Sequence, residues 1–168
     1  MRKSLFAAAI ITLAAAPVVS AATVASPIVQ VGAVSEVRVS FGKDVEDQPK
    51  VIGQREKDRL TRELSNEVSK AVGGFRPEGG VLEVTIKDAK PNRPTWTQMN
   101  YTPGLSYMDS FGIGGASLEG VYIAPNGART PVKYSWYESD LRNSQFMSEW
   151  HDTERTFERF AKRLVPKN

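Results

Sequence analysis

Cysteine is absent from the 168 residues, and histidine occurs once, at His151. These two lacks exclude thiol catalysis, disulfide bonds, zinc fingers and any metal site built from several imidazoles. Charge of one sign is also missing. Of 22 Lys and Arg, Arg2 and Lys3 fall in a leader-like segment, which leaves 20 basic against 19 acidic side chains. Such a near-neutral balance does not provide the basic face that nucleic-acid binding needs. No long apolar run follows residue 16, and no low-complexity tract or internal repeat occurs. Nothing in the sequence calls for a cofactor.

The N-terminus is patterned for export. Arg2 and Lys3 precede Leu5 to Ala16, a run interrupted only by Thr12; Pro17 then breaks it and Val19-Ser20-Ala21 supplies small residues. Residues 1–21 therefore read as a signal peptide, cleaved after Ala21 or Ala22. A helix that spans a bilayer needs about 20 apolar residues, which this run lacks. No Cys follows for lipid attachment. The expectation is a soluble protein of the periplasm, or one secreted, with no stable membrane insertion after cleavage. Without disulfides it must rest on its core alone, and a chain near 150 residues buries about 70% of its unfolded surface.

Residues 22–33 read as a flexible lead-in, with an edge strand as the alternative. From there a single α+β domain, 34–166, is expected. Val37, Val39 and Phe41 alternate with polar neighbours, as in a half-buried strand. Residues 44–49 form an acidic turn. Leu60, Leu64, Val68 and Val72 then recur every fourth residue, which predicts an amphipathic helix over 54–72 that ends at Gly73-Gly74, with Asp58 spaced to pair with Arg62. Residues 81–89 alternate again, so the three elements make one β-α-β unit. An irregular loop over 90–115 holds three prolines and no period. Alternation at 117–124 and 131–138 around Pro125-Asn126-Gly127 predicts a β-hairpin with apolar residues on both faces. Phe146, Trp150, Thr153, Phe157, Phe160, Ala161 and Leu164 define a C-terminal helix, with Asp152 as its candidate cap. The predicted architecture packs both helices on one face of a four- to five-stranded sheet.

Most chemical motifs fail on spacing. Gly115-Ala116-Ser117-Leu118-Glu119-Gly120 places its second glycine one residue late for a nucleophile elbow and lies at a strand start. Gly112 to Gly115 leads into a strand, whereas a phosphate loop leads into a helix. Asp44, Glu46 and Asp47 lack the offsets of a calcium loop. His151 as a general base, with Asp109 and neighbouring carboxylates, defines a hydrolase reading; the simpler reading is a solvated side chain at a helix start.

The aromatics stand out. All three Trp and all five Tyr lie between residues 96 and 150, and the β-α-β unit has neither. Tyr and Trp join apolar area to a polar tip and favour grooves and interfaces. Trp96, Tyr101, Tyr107 and Met108 are therefore candidate ligand- or partner-binding residues; the alternative is that they pin the loop onto the sheet. Lys90 and Arg93, with Lys87 nearby, form a candidate basic cluster beside them.

Gly114-Gly115-Ala116-Ser117-Leu118-Glu119-Gly120, the Pro125-Asn126-Gly127 turn and the closing Phe157-x-x-Phe160-Ala161-x-x-Leu164 helix resemble uncharacterised small exported bacterial domains, periplasmic or lipoprotein-like. The resemblance implies the same order of elements and an exported location, and it brings no catalytic residues. Three functions remain open at this point: a non-catalytic binding or adaptor protein using the aromatic loop, with an envelope protein or polymer as partner; a hydrolase acting on an envelope polymer; and a structural envelope component.

Overall fold

The computed structural model describes residues 31–165. The proposed cleavage sites and most of the lead-in lie outside the described residues. Strand β1 (Val34–Phe41) is followed by the single turn α1 (Lys43–Glu46), the long helix α2 (Gln54–Val72) and β2 (Gly80–Lys90). A short helix α3 (Trp96–Tyr101), the strands β3 (Gly115–Ile123) and β4 (Arg129–Tyr137), one 3-10 turn (Leu141–Ser144) and helix α4 (His151–Arg163) complete the chain.

The sheet has four strands in the order β1-β2-β3-β4. β1 and β2 run parallel, as a strand–helix–strand connection requires, and the other two pairs are antiparallel. Helices α2 and α4 pack on each other and on one face of the sheet, α2 toward β1 and α4 over β3 and β4. The α2 stripe of Leu60, Leu64 and Val68 is fully buried against Leu82, Val84, Ile86 and Leu118 of the sheet, with Phe157, Phe160 and Leu164 of α4 beside them. Burying one such Leu or Phe contributes about 1.5–3 kcal/mol, so these stripes hold the two layers together. Helix α2 stops where predicted: Gly73 takes the left-handed conformation, with φ of +74°.

Several details depart from the sequence reading. Val31, inside the expected lead-in, donates its N–H to Leu164 O at 2.9 Å, and the Tyr122 hydroxyl bonds Ala33 O at 2.8 Å, so residues 31–33 are tied to the domain. Asp58 accepts from Gln54 Nε2 at 2.7 Å rather than pairing with Arg62. Asp152 is inside the first turn of α4 and not its cap; that position is Trp150, which makes no side-chain capping bond. Phe146 precedes the helix and is 88% exposed. The second face of the hairpin is not covered by a helix: Val121 and Ile123 lie half-buried on the open face, shielded by neighbours within the sheet.

The open face carries charges in register. Glu119 accepts from Lys133 at 2.6 Å across β3 and β4, and Arg38 bonds Glu36 at 3.0 Å and reaches Glu83 at 3.7 Å. These exposed pairs are worth little individually. They leave this face solvated and direct attention to the end of the sheet where β2 finishes.

Candidate functional site

The segment between β2 and β3 lacks a period, yet it is held by two buried polar side chains. Pro91-Asn92-Arg93-Pro94 leaves the sheet beneath the surface. Asn92 is fully buried. Its Oδ1 accepts the Asp152 backbone N–H at 2.9 Å, while its Nδ2 donates to Asp152 Oδ2 at 2.5 Å and to Ser144 Oγ and Gly112 O at 3.3 Å. Asp152 thus offers Asn92 both a donor and an acceptor, and only one orientation of the amide satisfies both. The main chain adds two bonds, Asn92 N to Glu149 O at 2.7 Å and Gly112 N to Asn92 O at 2.9 Å. A side chain at Gly114 has no room, because a Cβ there would come within 2.5 Å of Asn92 Oδ1. Its N–H instead donates to Asp152 Oδ2 at 3.2 Å.

Arg93 is the second anchor. Its Nε donates to Met147 O at 3.1 Å, its Nη1 to Tyr107 O at 3.1 Å and Met108 O at 2.8 Å, and its Nη2 to Gln145 O. The guanidinium therefore joins the 107–108 turn to the 145–147 segment through carbonyl dipoles alone. The rings of Phe111 and Tyr107 flank it at 5.7 and 6.0 Å.

Helix α3 is fixed from its first residue. The Thr95 hydroxyl accepts the Gln98 N–H at 3.0 Å, and Gln98 Oε1 accepts the Thr95 N–H at 2.9 Å, a reciprocal capping box. Thr95 also donates to Val51 O at 2.6 Å. The buried carboxylate of Glu56 accepts from Gly53 N, Thr97 N and Thr97 Oγ1 at 3.0, 3.2 and 2.7 Å, which ties α3 to the start of α2.

On this fixed backbone large apolar side chains face outward. Trp96 is 55% exposed, Tyr101 61% and Met108 77%; Tyr107, Phe111, Ile113 and Leu141 are exposed as well. They form two groups. Trp96 and Tyr101 sit on α3 beside cations, with Arg55 5.7 Å from the Trp96 ring and Lys50 6.0 Å from that of Tyr101. Tyr107, Met108 and Phe111 surround Arg93, and Phe146 stands between the two carbonyls, Gln145 and Met147, that Arg93 binds. A cleft of about 410 Å³ is lined by Lys90, Arg93, Gln98, Leu105 and Phe111; Trp96, Tyr101, Tyr107 and Met108 are not among its lining residues.

The expected basic cluster divides: Lys90 and Arg93 both line this cleft, and Lys87 does not. Lys87 is on the open sheet face, Lys90 is exposed with its Nζ 5.1 Å from the Tyr137 ring, and Arg93 is buried. The Tyr137 hydroxyl donates to Asp88 at 2.7 Å, and its ionisation is pushed well above the usual tyrosine range, chiefly by burial and then by that bond. His151 shares a shallow cavity with Glu67, Glu154, Arg155 and Glu158. Asp109 accepts from Ser106 Oγ at 2.7 Å in an exposed turn, and Glu119 is engaged by Lys133. Among the described residues no cluster of His, Cys, Asp and Glu is suited to a metal ion.

Asn92, Phe111, Arg55 and Arg59 were not singled out by sequence reasoning, which took Phe146 only for a helix residue and Arg62 only for a partner of Asp58. Arg55, Arg59 and Arg62 carry a legible signal, an i, i+4, i+7 spacing that puts all three on one stripe. Arg59 donates to Glu154 at 2.9 Å and reaches Glu149 at 3.5 Å. Burial raises the Glu149 carboxyl above the usual range, against the opposing pull of Arg59. No protein-family model matches this chain, and no curated protein sequence matches it.

Proposed function

We propose that the protein is a non-catalytic binding or adaptor protein of the bacterial envelope, exported by its leader and working in soluble form in the periplasm. Its docking surface is the aromatic end of the sheet, and its partner is an envelope protein or polymer. One observation carries the reading: Trp96, Tyr101, Tyr107, Met108, Phe111 and Phe146 are exposed on backbone held from below, by Thr95 and Glu56 under α3 and by Asn92 and Arg93 under the rest. Exposed apolar groups gathered at one end mark interaction surfaces. A backbone already fixed avoids much of the ordering cost of association. The hydrolase alternative draws no support from the geometry, because His151, Asp109 and Glu119 each have different neighbours.

Photoreactive side chains at Trp96 and Tyr107, with exposed Ser135 on the open sheet face as control, test this in intact bacteria. The expected result is a discrete crosslinked species from positions 96 and 107 and none from 135. Absence of any crosslink at 96 and 107, with tryptophan fluorescence unchanged on adding envelope fractions, overturns the proposal.

A further inference from the structure

A second feature adjoins Trp96. Helix α2, the start of α3 and the entry to α4 enclose a small cavity of about 150 Å³, lined by Arg55, Arg59, Arg62, Glu149, Trp96 and Trp150, with Glu56 at its base. That space holds about five waters.

Its lining sets three guanidiniums, Arg55, Arg59 and Arg62, against two carboxylates, Glu56 and Glu149. Each guanidinium presents five N–H groups and accepts nothing. Arg59 spends two of its nitrogens on Glu149 and Glu154. Arg55 stacks on Trp96, and neither Arg55 nor Arg62 has an ion pair with any described residue. Glu56 lines the cavity, but its oxygens already take three donors from Gly53 and Thr97. Trp150 is fully buried, and its Nε1 makes no hydrogen bond of ordinary geometry with any described residue, although it lies near enough to the Glu149 carboxyl to favour that group's charged form. A buried donor left unmade costs about 1–3 kcal/mol. Three like charges on one helix face add a further cost. An acceptor group that carries negative charge relieves both.

We propose that this cavity is a binding subsite for a small oxyanionic group, a carboxylate or a phosphoryl, taken between Arg55 and Arg62 with Trp150 Nε1 as the third donor. Arg side chains suit such planar and tetrahedral oxyanions because their N–H groups bond them in pairs. Trp96 lines the subsite and belongs to the aromatic end, so a ligand anchored here lies beside the docking surface proposed above. The subsite does not depend on that docking, and the two fail separately.

The test titrates the full chain with sodium phosphate and, separately, with sodium acetate, each against sodium chloride at equal ionic strength. Tryptophan fluorescence and the thermal midpoint are read together. A saturable response is expected with at least one of the two oxyanions and not with chloride; response to phosphate alone assigns a phosphoryl ligand, and to acetate alone a carboxylate. Arg62→Gln, an exposed side chain without an ion pair, should weaken the response about tenfold or more while the protein still melts cooperatively. Lys70→Gln, elsewhere on α2, should leave it unchanged. Trp150→Phe, if it folds, should weaken it as well. No saturable response to either oxyanion, or a response that Arg62→Gln leaves intact, overturns the proposal and assigns the cavity to water.

Discussion

Asn92→Asp is the smallest change that attacks the anchoring of the aromatic end. The replacement has nearly the same shape, so no cavity opens. The Nδ2 donor becomes an oxygen facing Asp152 Oδ2, now 2.5 Å away, at a site where Asn92 is fully buried and Asp152 is 2% exposed. The donor bonds to Ser144 and Gly112 are lost at the same time. Three lost bonds at about 1 kcal/mol each, together with two buried carboxylates in contact, give an expected loss of about 3–5 kcal/mol at pH 7. Against an ordinary total of about 5–15 kcal/mol, the variant should fold but unfold early. The loss must also depend on pH. Two carboxylates this close share one proton, so the pair binds that proton more tightly when folded than when unfolded. The penalty is therefore smallest below the ordinary carboxylate pKa and grows as pH rises through the raised pKa of the pair. Urea unfolding followed by tryptophan fluorescence at pH 4 and pH 7 measures both features. A loss below about 1 kcal/mol at pH 7, or an equal loss at both pH values, refutes the role assigned to Asn92.

Three further outcomes follow from the same structure. Glu149→Gln should raise the thermal midpoint at pH 7 and do little at pH 4, because burial raises the Glu149 carboxyl and its charged form weighs on the folded state only once pH exceeds the usual carboxylate range; an unchanged midpoint at both pH values contradicts this. Ultraviolet titration of the folded protein should show a tyrosine step well above pH 10 that Tyr137→Phe removes; a late step unchanged in that variant contradicts the burial assigned to Tyr137. Truncation after Glu149 removes Trp150, Phe157, Phe160 and Leu164 from the core and should abolish cooperative thermal unfolding, so a surviving sharp transition contradicts the packing described.

The layered fold was legible in the sequence because its signals are local. Leu60, Leu64 and Val68 repeat at the helical spacing, Gly73 marks the stop, and Val84 and Ile86 alternate with Thr85 and Lys87. Helix α3 was not legible because six residues without an apolar period give no such signal; its only trace in the sequence is the capping box Thr95-x-x-Gln98. The anchoring of the 90–115 segment was not legible. Asn92 and Asp152 meet from 60 residues apart, and no spacing rule connects them. The same distance explains why Asp152 looked like a helix cap: its carboxylate serves Gly114 and Asn92 instead. Trp96, Tyr101, Tyr107 and Met108 were named by residue type and are exposed, whereas Arg93, named with Lys90 as a basic cluster, is the buried link beneath Tyr107 and Met108.

Amide hydrogen–deuterium exchange of the full chain, with and without a bacterial envelope fraction, tests the proposed role of the aromatic end most directly. The account predicts added protection confined to residues 96–113 and 141–147, with the edge strands β1 and β4 unchanged. Protection of β1 or β4 in place of those segments, or no protection anywhere, contradicts it.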